Sequence, residues 1–274
     1  MTKAVLFSKK MKQYKVCLSI AGSDPSGGAG IQADIKTFSA LGCYGAAAIT
    51  ALTIQDTWQV YACLPVDAAY VYGQVIKVME DLEPQAVKIG MIANKEIAQA
   101  IASALNTHPA PFVIFDPVLV SSSGHTLYAA EDYAVLKEEL LPLCSLVTPN
   151  LPEADLLFPG LFGKGELVDG PPCDILVKGG HLDGRPVDCL YTKVGIFRFD
   201  GERIKTNNTH GTGCTLSSAI AALVARGYAL PDAVKKAKIY LENALRAGSV
   251  VFAGHGYGAM NHFFDPLPLT AEEL

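Results

Sequence analysis

The chain has 274 residues, half of them hydrophobic and 18% charged, with a formal net charge of -5. That is enough apolar sequence for a sizeable core, and the acidic balance argues against a nucleic-acid or anionic-membrane surface. No apolar run reaches the roughly 18 residues of a membrane span, and seven cysteines without metal-ligand spacing read as reduced thiols of a cytoplasmic protein.

Residues 1–14 carry Lys3, Lys9, Lys10 and Lys12 around a short apolar patch and read as a loose N-terminal lead; residues 15–274 read as one domain. Tyr14 to Ala21 is a buried-strand run. The glycine-rich stretch Gly22 to Gly30 follows and opens into a helix over Ile31 to Leu41. Tyr44 to Ile54 favours a strand, and Val66 to Leu82 a helix capped by Asp67. Ala86 to Gly90 predicts a strand, Lys95 to Asn106 a helix, and Pro111 to Asp116 a strand. Beyond these come a helix over Glu131 to Leu141, a strand over Ser145 to Thr148 and a short helix over Leu151 to Leu157. Asp174 to Lys178 is a strand, and Val187 to Thr192 with Gly195 to Phe199 suggests a hairpin. Gly213 to Ala225 and Pro231 to Gly248 complete the chain as two long helices. The alternation predicts an α/β fold with a mainly parallel sheet, helices on both faces and a small antiparallel edge.

In such a sheet, ligands bind beyond the carboxyl ends of the strands. The polar interruptions fall there: Gly22 to Gly30, Gln55-Asp56, Gly90-Met91, Asp116, Asn150 to Glu153 and Lys178 to His181. The strongest single stretch is Asn208-Thr209-His210-Gly211-Thr212-Gly213-Cys214-Thr215. Its glycines lead into a helix start, where free N–H groups and a partial positive charge favour an anion. Cys214 lies in that first turn, where the same field lowers a thiol. Gly211, Thr212, Gly213 and Cys214 therefore form a candidate phosphoryl-transfer site, against the alternative of a glycine turn capping a buried helix.

Each other candidate has a structural alternative. Asn150 and Glu153 can form a capping box, or Asn150 can touch phosphate while Glu153 orients water on magnesium. Asp116 is a second candidate for the same ion, or a turn former. Lys178 ends a buried strand, where a nucleotide phosphate, or a salt bridge to Asp174 or Asp188, would offset its burial. Gln55 can donate and accept at an aminopyrimidine edge, or simply satisfy a strand end. Met91 and Val118 can pack on a flat ring or belong to the core. His181 and His210 flank glycine turns without metal-ligand spacing.

AGSDPSGGAGIQADIKTFSALG (21–42), ITALTIQDT (49–57), KIGM (88–91), TPNLPEA (148–154), KGGH (178–181), NTHGTGCTLSSAIAA (208–222) and GHGYGAMNHF (254–263) occur in this order. Together they resemble the bacterial hydroxymethylpyrimidine/phosphomethylpyrimidine kinases of thiamine biosynthesis, from about Lys15 to Asp265. The resemblance implies a ribokinase-like three-layer sandwich and phosphorylation of 4-amino-5-hydroxymethyl-2-methylpyrimidine and of its monophosphate, with ATP and Mg2+. It implies that Gln55 reads the pyrimidine edge, that Ala29, Thr53, Met91 and Val118 surround the ring with Asp34 nearby, and that Cys214 takes the hydroxymethyl proton. It also implies a homodimer. Residues 160–172 depart from the family pattern, being shorter and rich in glycine and proline. Pyridoxine or pyridoxal kinases share the glycine–cysteine motif, and Gln55-Asp56-Thr57 is the discriminator; an idle pyrimidine sensor is the reading from another class.

Overall fold

The computed structural model describes residues 12–119, 127–160, 171–179 and 186–273. Its centre is a sheet whose strands bury both faces. In chain order the first strands are β1 (Lys12–Tyr14), β2 (Val16–Ser23), β3 (Tyr44–Gln55), β4 (Val60–Pro65), β5 (Ala86–Ile89) and β6 (Val113–Phe115). They are followed by β7 (Leu146–Val147), β8 (Asp174–Val177), β9 (Val187–Thr192), β10 (Gly195–Asp200) and β11 (Ala271–Glu273). Nine form one sheet in the order β10-β9-β8-β7-β6-β5-β2-β3-β4. The centre, from β3 across to β8, is parallel, and the outer pairs β3–β4, β8–β9 and β9–β10 are antiparallel.

The period-two alternation of side chains sorts the core into two layers. In β6, Val113 and Phe115 face one layer and Ile114 the other; in β8, Ile175 and Val177 oppose Leu176 in the same way. The first layer carries α2 (Ala68–Leu82) and α3 (Lys95–Thr107), and the second carries α1 (Gly30–Ala40), α6 (Thr212–Ala225) and α7 (Leu230–Gly248). Side chains such as Leu18, Ile20, Ile114 and Leu176 are fully buried, each worth about 1.5–3 kcal/mol of transfer free energy. Asp67 caps α2 and Asn94 caps α3 through side-chain acceptors.

Three expectations change. The single helix over Glu131 to Leu141 is instead a chain of short turns around α4 (Tyr133–Val135), with a π turn over Leu136–Leu140 and a 3₁₀ turn over Leu141–Leu143. Pro142 explains its end: it has no N–H to continue the ladder, and its ring crowds the carbonyl four residues back. Strand β4 had no counterpart in the sequence reading. It is an edge strand whose residues are mostly exposed, so it carries no buried face to announce it. Lys12–Tyr14, assigned to the loose lead, pairs antiparallel with Ala271–Glu273, and Tyr14 stacks on Tyr44 at 6.3 Å. Residues 161–170, within the departing segment, lie outside the described residues, as does His181.

No helix among the described residues is long and apolar enough to cross a membrane.

Candidate active site

The first glycine-rich loop is organised by Asp24. Its carboxylate accepts from the N–H groups of Ser26 (2.8 Å), Gly28 (3.1 Å) and Ala29 (2.8 Å), from the Ser26 hydroxyl (2.7 Å), and from His210 Nε2 (2.8 Å). Burial works against that charge, but His210 and Ser26 outweigh it and hold Asp24 below the usual carboxylate range.

The two glycine motifs are in direct contact. The His210 ring lies on Gly28, where any side chain would collide with it. Gly211 has φ 80° and faces the Gly28 carbonyl, so a Cβ is excluded both by backbone conformation and by space. Segments almost two hundred residues apart thus meet at the carboxyl end of β2.

Gly211 is the N-cap of α6, and among the described residues no side chain caps this helix. Its first turn therefore leaves N–H groups for an anion. Cys214 sits in that turn, half-buried, with the Gly30 N–H against its sulfur. The thiol is nevertheless pushed up to about 11. Burial dominates; Lys88 and Gly30 pull down, while Asp34 and Asp116 push up. The expectation of a lowered thiol gives way to a raised one, with loss of solvent the largest cause.

Beside the turn lies a second cluster. Lys178 follows β8 and bonds Asp116 Oδ1 at 2.7 Å, and Thr148 reaches the same oxygen at 3.1 Å. Ser217 reaches Asp116 Oδ2 at 3.3 Å. The partner of Lys178 is therefore Asp116, not Asp174 or Asp188; Asp188 is instead bonded by Lys238. Burial would raise Asp116, but Lys178 and Lys88 hold it low. A Cβ on Gly213 would lie 3.4 Å from both Asp116 Oδ2 and Lys178 Nζ, so this pair adjoins the α6 turn.

α5 (Leu151–Leu157) starts in the same place, since Asn150 bridges Lys178 across the strand ends. Its capping box is complete: Asn150 accepts from the Glu153 N–H, and Glu153 accepts from the Asn150 N–H, both at 2.9 Å. Burial pushes Glu153 up to about 7, with Lys178 opposing and Asp116 adding to the rise.

On the other side of the turn, β3 ends at Gln55. Its amide is placed with Oε1 3.2 Å from Thr53 Oγ1 and Nε2 3.2 Å from His210 Nε2. Ala29 caps α1 beside Gly211. Met91 lies against Gly22, with its carbonyl accepting from Thr50 at 2.7 Å, and Val118 is half-buried beyond Asp116. Asp34 does not join this group. It is fully buried in the second core layer, bonded by Lys88 (2.8 and 2.9 Å), Ser19 (2.6 Å) and Ser218 (2.7 Å), which leaves it no part in a ring pocket. Asp24, His210, Lys88, Thr148 and Ser217 were not assigned from the sequence. Lys88 did carry a signal, a lysine inside the apolar run AVKIG that must find an anion.

The family profile for phosphomethylpyrimidine kinase matches residues 24–261. The hydroxymethylpyrimidine/phosphomethylpyrimidine kinase of Escherichia coli K12 is 43% identical over 256 residues, covering 90% of this chain and 96% of that protein. The chloroplastic thiamine biosynthetic bifunctional enzyme of Arabidopsis thaliana is 36% identical over 275 residues, 96% of this chain and 53% of that protein. Among solved structures, Clostridium difficile phosphomethylpyrimidine kinase superposes with TM-score 0.71 at 39% identity, covering 84% of this chain and 99% of that one. Staphylococcus aureus pyridoxal kinase with ADP superposes with TM-score 0.79 at 28% identity, covering 95% and 99%.

Proposed function

The chain belongs to the phosphomethylpyrimidine kinase family, with the ribokinase-like fold, and from that premise we propose how its site works as a kinase of thiamine biosynthesis. It phosphorylates 4-amino-5-hydroxymethyl-2-methylpyrimidine and then its monophosphate, with ATP as donor. The observation that carries the assignment of roles is the α6 first turn, set between the Asp116–Lys178 cluster and the Gln55–His210 cluster.

Gln55 reads the ring edge, with Ala29, Thr53, Met91 and Val118 around it. Gly211, Thr212, Gly213 and Cys214 offer the N–H groups of the first turn to the transferring phosphoryl group, where charge develops. Lys178, with protons beyond the one given to Asp116, meets the nucleotide phosphates together with Asn150.

Magnesium, when bound, would neutralise phosphate charge. Asp116 and Glu153 fit that role. Both are buried oxygen donors, and Glu153, raised by burial and by Asp116, is the one whose charge a cation would relieve. Asp116 and Glu153 would hold the ion, Glu153 through water.

Cys214 is the proposed acceptor of the hydroxymethyl proton. With its thiol near 11, on the order of one copy in 10⁴ is thiolate at pH 7. That observation favours a second reading, in which the proton leaves late for a phosphoryl oxygen and Cys214 only shapes the turn. Single-turnover rates of Cys214→Ser separate the two: a base predicts a loss of roughly 10²–10⁴-fold, and late transfer predicts a parent-like pH profile.

The function is tested by coupled ATP turnover with hydroxymethylpyrimidine, its monophosphate and pyridoxine. Turnover on pyridoxine alone would move the chain to the pyridoxal kinases, and no turnover on any would leave a sensor.

We further place the protein in the cytoplasm, where its free thiols stay reduced, and read it as a homodimer. Leu52, Ile54, Trp58, Tyr61 and Leu64 stand exposed on β3, β4 and the turn between them, an apolar face suited to a second copy. Sedimentation showing only monomer at micromolar concentration would remove that reading.

A further inference from the structure

The contacts of Gln55 determine which way its amide points. Thr53 has one hydroxyl proton. Its Oγ1 lies 2.9 Å from the Ser23 carbonyl, which can only accept, so the proton goes there. The end of the Gln55 amide facing Thr53 must then be the donor, its nitrogen. At the other end, His210 Nε2 lies 2.8 Å from Asp24, an ionised carboxylate that can also only accept. His210 Nε2 therefore carries its one hydrogen toward Asp24, and the Gln55 Nε2 placed 3.2 Å away sets a second donor against it; turning the amide brings its oxygen there, where it can share that hydrogen. The opposite placement sets two donors face to face at His210 and asks two protons of Thr53. The turned order removes both conflicts, with the Nε2 hydrogen shared between Asp24 and the Gln55 oxygen.

We infer that the Asp24–His210 pair is a specificity device, which locks the Gln55 amide with its oxygen beside His210 and its nitrogen beside Thr53. The inference rests on the pyrimidine kinase reading of the site. A locked amide offers a ring one order of acceptor and donor. A 4-aminopyrimidine matches it through its exocyclic amine and the adjacent ring nitrogen. The 4-oxo counterpart presents the reverse order, which only a freely turning amide can follow. The amino group on C4 neighbours the reacting arm on C5, and His210 belongs to the loop leading into Cys214. The amide oxygen thus stands on the side where that amine arrives. The contact of the His210 ring with Gly28 holds the ring in place for this task.

The test is calorimetric binding of the 4-amino substrate and of its 4-oxo analogue, without nucleotide, to the parent chain and two variants. His210→Phe keeps a ring over Gly28 and removes the N–H. Thr53→Val removes the acceptor at the opposite end and is nearly isosteric, so it decides the question if His210→Phe fails to fold. The amino-over-oxo preference of the parent should fall about five- to tenfold in either variant, mainly through a gain for the oxo compound. A preference unchanged within about twofold in a folded variant overturns the role of the pair. A parent chain that binds neither compound overturns instead the pyrimidine reading, and the inference with it.

Discussion

Asp34–Lys88 and Asp116–Lys178 are both buried carboxylate–lysine pairs, 2.8 and 2.7 Å long, contributed by distant segments that meet beneath the same helix. Lys88 lies within β5 and its side chain is fully enclosed; Ser19, Ser218 and Lys88 use both oxygens of Asp34. Lys178 lies just beyond β8 and retains 16% of its side-chain exposure. One cation is shut inside the core with both its bonds on one carboxylate, and the other keeps an edge exposed at the rim. Chemistry and length are shared, so place in the strand separates a pair that holds the layers together from one that can meet a ligand.

The largest expected effect is on the inner pair. Lys88→Met leaves the Asp34 carboxylate in the core with two serine hydroxyls and no cation, and should cost about 3–5 kcal/mol of stability in urea unfolding. The double variant Lys88→Met/Asp34→Asn should recover most of that loss. A single variant as stable as the parent would show that the pair does not hold the layers together. The outer pair should add a second effect. Lys178→Met also strands the buried Asp116 carboxylate and should lose stability, but turnover should fall by a further roughly 10²-fold in the folded variant, and a folded Lys178→Met with parent-like turnover would erase the distinction.

Cys214 sits between the pairs and reports on each. With its thiol raised to about 11, alkylation by iodoacetamide should quicken with each pH unit well beyond pH 9. Asp116→Asn removes a charge that raises the thiol, so the profile should move to lower pH. A parent profile that levels off near pH 8.5 would mean that burial does not govern this thiol. The smallest effect belongs to the cap beside Lys178. Asn150→Ala should cost about 1 kcal/mol through the lost capping box, and Glu153→Gln should weaken magnesium dependence. If Glu153→Gln changes only the melting temperature, its carboxylate serves the helix alone.

The inner pair also marks where sequence reading stopped. β2, α1, α5 and the hairpin β9–β10 were legible because their signals are local: an apolar run, an i to i+4 stripe, a box three residues long. Asp34 and Lys88 are 54 positions apart, and nothing local says that one answers the other. Hence Asp34 was expected among the ring-lining residues. The glycine motifs were found, but not that each is glycine because the other lies against it. Cys214 was placed correctly on its helix, yet its acidity depends on enclosure by Lys88, Asp34 and Asp116, which only the tertiary fold supplies. His210 has no metal-ligand spacing in the sequence, and its partners Asp24 and Gln55 lie more than 150 residues away.

The ribbon of β1 and β11 has a consequence for how the chain can be rearranged. Thr270 accepts from the Lys15 N–H at 3.0 Å, just before β2 begins, while the site lies past the other end of that eight-residue strand, about 25 Å away. The first and last described strands therefore leave the molecule side by side at the pole opposite the chemistry. A second catalytic unit could be tethered at either end without shadowing the site. A circular permutant with a short linker joining Glu273 to Lys12, reopened elsewhere, should keep both the sheet and its turnover.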